Sequence, residues 1–171
     1  MSNADQNILE LLSTTPFLRE LCPGDLDKVA EIASSRSVSA GTVLYQEGDV
    51  CETLYLVSSG LVALDMCMPR QGCTRILTIG LGEIIGWSAL FADATMAVRA
   101  SVLQDGTLVA LPAAELRQLC DDDHDIGYAI MQQVSVALSR RLLATRLQLL
   151  DMFGETQPVP APASPVAATN S

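Results

Sequence analysis

Residues 40–65 read AGTVLYQEGDVCETLYLVSSGLVALD, and residues 80–90 read GLGEIIGWSAL. Short runs of Val, Leu, Ile and Tyr are punctuated here by Gly41, Gly48, Gly60, Gly80, Gly82 and Gly86. Brief apolar runs bounded by turn residues read as strands. Val43–Tyr45, Leu54–Val57, Leu61–Leu64, Ile76–Ile79 and Leu108–Leu111 extend the pattern, at the spacing of an all-β sandwich or roll. Met68–Gly72 separates two of the runs and reads as a hairpin loop. The turn at Gly86 feeds a short apolar segment, a form that suits a phosphate held by backbone N–H groups.

Helical periodicity flanks this block. Ile8, Leu11, Leu12, Phe17, Leu18 and Leu21 fit a short amphipathic helix with a break near Pro16. Asp25, after Pro23-Gly24, is placed to cap a helix over Leu26–Ser34. Pro112 ends the β section and suits a helix start, with Ala113–Cys120 as that helix. Asp121–Asp123 put negative charge where the dipole of the next helix favours it. That helix, Ile126–Phe153, is the longest, and Gly154 stops it. The Pro/Ala-rich residues 155–171 predict a disordered tail. The expected division is therefore a helical segment over 1–35, a β-roll over 36–112, C-terminal helices over 113–154, and the tail.

A chain of 171 residues suits one domain with extensions. Its formal charge is −10, from 10 basic and 20 acidic side chains, whereas a nucleic-acid binder needs a basic face. No direct nucleic-acid contact is expected. Five cysteines without a CxxC pair argue against a disulfide framework. Cys67 and Cys73 flank the hairpin loop, so a bridge is geometrically available, but two separate thiols is the commoner arrangement. The N-terminus lacks the basic start of a signal peptide, and no apolar run is long enough to span a membrane. A cytoplasmic location follows, without membrane contact. No nucleophile–base pair or carboxylate pair appears, so no catalytic residue is assigned. His124, the sole histidine, lies in an acidic turn and carries no metal assignment.

Three segments together resemble the cyclic-nucleotide-binding domain family, of the catabolite-activator (Crp/Fnr-like) type. They are Gly41-x-x-Leu44-Tyr45-x-Glu47-Gly48-Asp49, Leu54-Tyr55-Leu56-Val57-x-x-Gly60, and Gly82-Glu83-Ile84-Ile85-Gly86-x-x-Ala89-Leu90, followed by Ala100-Ser101-Val102. The resemblance covers about residues 10–153. It implies a mainly β fold with flanking helices: a double-stranded β-helix, or jelly-roll-like β-roll, then a long C-terminal helix. It also implies a ligand that is a cyclic nucleotide or another small phosphate-containing molecule, held at Gly86, Trp87, Ser88, Ala89, Leu90, Arg99 and Ala100.

The departures from that family bear on function. Trp87 stands where the family has the Glu that binds the ribose, and Val98 where it has the Arg that binds the phosphate. Arg99 is one residue off, and on a strand one residue reverses the face. It enters the pocket only if a bulge re-aims it; otherwise it is a solvated residue or an ion-pair partner of Asp93 or Glu83. Losing a charge-assisted bond costs about 1.5–3 kcal/mol, so ordinary cyclic AMP should bind weakly or not at all. Trp87 either lines the pocket or plugs it. Glu83 is expected to bond the turn backbone. The long helix carries Ile126, Ile130, Val134, Ala137 or Leu138, Arg141, Thr145, Leu149 and Met152 near one stripe, broadened by Leu142, Leu143, Leu147 and Leu150. A helix apolar on two sides must bury both, which predicts a homodimer through Ile126–Phe153. Arg140, Arg141 and Arg146 read as rim charges. Three functions are compatible with this: a non-enzymatic regulatory domain sensing a small ligand, a degenerate roll serving only dimerisation or an unidentified protein partner, and, least supported, a transcription regulator without its own helix-turn-helix.

Overall fold

The computed structural model describes residues 3–50, 52–68, 72–91 and 94–153. Helices α1 (Asn3–Ser13) and α2 (Pro23–Ile32) precede the strands β1 (Ser34–Val38), β2 (Val43–Tyr45), β3 (Thr53–Val57), β4 (Leu61–Met68), β5 (Gly72–Ile79), β6 (Ile84–Ile85), β7 (Arg99–Gln104) and β8 (Gly106–Pro112). Helices α3 (Ala113–Asp122) and α4 (His124–Phe153) follow. Short 3-10 turns span Pro16–Leu18 and Trp87–Leu90. The strands form two four-stranded antiparallel sheets, ordered β1-β8-β3-β6 and β2-β7-β4-β5. This is the jelly-roll-like β-roll with a long C-terminal helix that the sequence predicts.

The two sheets differ in how they are covered. Leu54–Val57 of β3 and Leu108–Leu111 of β8 are buried without a break, so both faces are covered at the centre of the first sheet and these two strands read as unbroken apolar runs. The second sheet alternates. Val62 and Leu64 point into the core, whereas the far end of β4 and β5 is largely exposed. There Cys67 lies directly opposite Cys73 and the two form a disulfide. The ladder register supplies this bond, overturning the commoner expectation of two separate thiols.

The helices close the other side. Ile126, Ile130 and Val134 of α4 are buried in the same core as Leu12, Phe17, Leu18 and Leu116. At Gly127 a Cβ would sit 2.8 Å from the Cys120 carbonyl oxygen, so glycine permits the close approach of α3 and α4. Asp123 caps α4 by accepting the N–H groups of Asp125 and Ile126 at 3.2 and 3.3 Å.

Several boundaries differ from the sequence expectation. Helix α2 starts earlier, at Pro23, because proline suits the first helical position, and Asp25 lies inside its first turn. Helix α4 likewise starts at His124. Strands β1 and β6 were not foreseen: Ser34–Val38 is polar and largely exposed, and Ile84–Ile85 is only two residues long. The 69–71 hairpin tip, Asp93 as an ion-pair partner, the Gly154 stop, the 155–171 tail and the Met152 side chain lie outside the described residues.

Candidate functional site

The turn after Gly86 is fixed from three directions. Gly86 has φ 72°, and a Cβ there would lie 2.5 Å from the Thr53 carbonyl oxygen. Glycine is therefore required both by the left-handed backbone and by close packing on β3. Glu83 accepts the Gly80 N–H at 2.8 Å, holding the preceding turn as expected. From behind, Arg117 of α3 donates to the Ala89 carbonyl at 2.6 Å. Within the turn the Ala89 N–H is bonded to the Gly86 carbonyl at 3.0 Å. One donor assigned to an anion by sequence is thus already used in the fold.

A cavity of about 220 Å³ opens beside this turn. Gly86, Trp87 and Ser88 form one wall, Val98 another, and Leu138 and Arg141 of α4 close it. Leu64, Leu77 and Met96 make the remainder largely apolar. The Trp87 ring meets Phe91 edge to face, with centroids 6.2 Å apart, which fixes the indole against the wall.

Arg141 is the cation of this cavity. Its guanidinium donates to the Ile84 carbonyl of β6. Burial pushes its pKa down, while the nearby Glu83 carboxylate and Tyr45 push it up. The reading of Arg141 as a rim charge is therefore corrected. It sits on the docked side of α4, four residues after Ala137 and seven after the buried Val134, where helical geometry stacks side chains on one face. The i, i+4 spacing of Ile126, Ile130 and Val134 carried that signal, because its continuation reaches Leu138 and Arg141.

The other expected contacts lie elsewhere. Arg99 opens β7 opposite Asp65, and the register between β4 and β7 is regular from Val62↔Val102 to Asp65↔Arg99. No bulge on that pairing re-aims it. Ala100 and Val102 take the buried face, and Arg99 does not line the cavity. Its Nε is buried without a hydrogen-bond partner among the described residues, and Asp65 opposite is bonded to Arg75 at 3.4 Å. Ala89 and Ala100 are core residues with no exposure. Leu90 lines a separate hollow with Arg117 and His124.

The family model for the cyclic nucleotide-binding domain matches residues 35–123, more than half of the chain. A cyclic nucleotide-gated potassium channel of Mesorhizobium japonicum is 24% identical over 77% of this chain and 34% of its own length. An anaerobic regulatory protein of Bacillus subtilis is 24% identical over 86% of this chain and 62% of its own length. The chain thus spans between a third and two thirds of these relatives. A solved cyclic nucleotide-binding domain from Methylobacillus flagellatus superposes with a TM-score of 0.71 at 18% identity, covering 91% of this chain and 86% of its own. With the roll, the glycine turn and the closing helix in the family's order, the chain belongs to the cyclic nucleotide-binding domain family.

Proposed function

We propose that this chain is a non-enzymatic, regulatory ligand-sensing domain that acts as a homodimer through α4 and responds weakly or not at all to ordinary cyclic AMP. One observation carries the reading. The cavity is closed by Leu138 and Arg141 of α4, while Leu142, Leu143, Leu147, Leu149 and Leu150 of the same helix are exposed. Whatever fills the cavity therefore bears on the helix that offers the seam. The pocket departs from the family at Trp87 and Val98, which leaves ribose and phosphate groups without their expected partners. Each such loss costs about 1–3 kcal/mol. That the relatives include a channel and a regulatory protein fits a controlling role, and a cytoplasmic site of action is part of the proposal.

Two measurements on the full chain test this. Light scattering should give twice the 18.2 kDa monomer mass. Thermal shift with millimolar cyclic AMP, cyclic GMP and cyclic dinucleotides should show little change. A monomer at high micromolar concentration would remove the seam. A rise of several degrees with cyclic AMP would remove the altered-pocket reading, since a ligand at 100 times its Kd adds about 2.7 kcal/mol.

A further inference from the structure

The geometry points to a small apolar monocarboxylate as the ligand of the cavity under α4, with Arg141 as its counter-ion. This rests on the sensing reading above and names the ligand class. Three observations converge on it. The cavity holds about 220 Å³, below the roughly 300–1,000 Å³ usual for drug-sized ligands, which suits a small occupant. Its wall is apolar at Trp87, Val98, Leu64, Leu77 and Met96. A ligand rich in hydroxyls or ring nitrogens would leave most of those groups unpaired, since Tyr45 and Ser88 are the polar side chains beside Arg141 in the described lining.

The one fixed positive charge on the wall is a guanidinium. It has five N–H donors in a planar fork that matches a carboxylate, and the bond to Ile84 uses one of them. Glu83 lies near enough to favour the charged form of Arg141, with one of its oxygens accepting the Gly80 N–H, and no ion pair between the two side chains is formed among the described residues. A hollow of about 320 Å³ sharing Tyr45 and Met96 carries Asp49 and Glu52. Acids in the adjoining hollow disfavour a multiply charged anion, and a single carboxylate matches the single guanidinium. The apolar body of such a ligand would lie against Trp87, with its head at Arg141.

The sole tryptophan of the chain lines this cavity, so its fluorescence reports occupancy at the site itself. We would titrate the full chain with phenylacetate, methyl phenylacetate and cyclic AMP, and follow fluorescence and melting temperature. Phenylacetate should change Trp87 emission saturably and raise the melting temperature by about 5–11 °C at 100 times its Kd. The methyl ester keeps the ring and loses the charge, and should bind at least about 100-fold more weakly. Arg141→Ala should abolish the carboxylate response and Arg141→Lys should retain part of it. The ester comparison tests the charge requirement even if the alanine variant does not fold. Equal binding of ester and acid would overturn the counter-ion role. A saturable response to cyclic AMP but none to phenylacetate would overturn the ligand class and leave a sensor in place. No response to any of the three would overturn the inference, and a dimer by light scattering would then show that the seam stands without it.

Discussion

Helix α4 has two apolar sides, and the described residues cover one of them. Ile126, Ile130 and Val134 are at most 2% exposed, and Ala137 and Leu138 pack on the same core. Tyr128, Met131, Leu142, Leu143, Leu147 and Leu150 are exposed. With 3.6 residues per turn, Tyr128, Leu143 and Leu150 fall opposite the docked stripe, and Met131, Leu142 and Leu147 flank it. The docked side carries β-branched residues at i, i+4 spacing, shaped to the roll. The open side is dominated by leucine along the second half of the helix, where the roll no longer covers it. A side of this kind gains nothing from the fold of one chain, since burying a leucine is worth about 1.5–3 kcal/mol only where something covers it. The contrast teaches that α4 serves two masters: its inner side belongs to the domain and the cavity, and its outer side is available to a second copy.

The largest expected effect separates the two sides directly. Ile130→Ala should destabilise the folded chain by about 2–5 kcal/mol, read as a lower urea midpoint at unchanged slope. Leu143→Gln with Leu147→Gln should leave the chemical stability of the monomer within about 0.5 kcal/mol. It should instead weaken the dimer at least about 100-fold, since two leucines on each copy lose their cover. Sedimentation velocity across a concentration series reads this. A double variant that unfolds instead of dissociating would show that the outer side belongs to the domain.

Gly86→Ala acts at the turn against which the inner side rests. The left-handed φ of 72° costs an L-residue about 1–2 kcal/mol, and the Cβ would meet the Thr53 carbonyl at 2.5 Å. Thermal melts should fall by several degrees, while light scattering should still give a dimer. Loss of dimer at this position would mean that the two sides of α4 are not independent.

The roll was legible because its strands are either apolar throughout, as in β3 and β8, or bounded by glycines. Strand β1 was not, because Ser34–Val38 offers mostly polar, exposed side chains and is a strand through its ladder with β8. The turn at Gly86, and Trp87 and Val98 as residues beside it, could be read from local spacing. Arg141 could not be placed as easily. It is 55 residues from Gly86 along the chain, and only the packing of α4 brings it to the cavity. Arg99 does not line the cavity although its neighbour Val98 does, because strand alternation sets the face. The Cys67–Cys73 bond depended on register across a hairpin, which composition does not report.

The smallest effect sharpens the comparison at the point where the docked side begins. Asp123 accepts from Lys28 of α2 at 2.6 Å and caps α4 through its other oxygen. The Lys28 hydrogen bond, then the Ile126 N–H, hold the Asp123 carboxyl below the usual carboxylate range. The same bond, with some opposition from desolvation, raises Lys28 above the usual lysine range. A lowered carboxyl pKa means stability that is present above the unfolded pKa and lost as pH falls through the folded one. The raised lysine contributes below its unfolded pKa and loses that contribution as pH rises through its folded value. The pair is therefore intact across neutral pH and fails at both extremes. Lys28 is exposed and Asp123 partly so, so the increment is small and salt should screen it. Asp123→Asn isolates the charge, because asparagine caps a helix about as well as aspartate. Melting temperature measured from pH 7 down to pH 2 should fall less steeply for the variant than for the parent. The gap at pH 7 should narrow in about 1 M salt, where the Debye length is about 3 Å. Identical acid limbs would show that the cap alone, without the tie to α2, seats the start of the docked side.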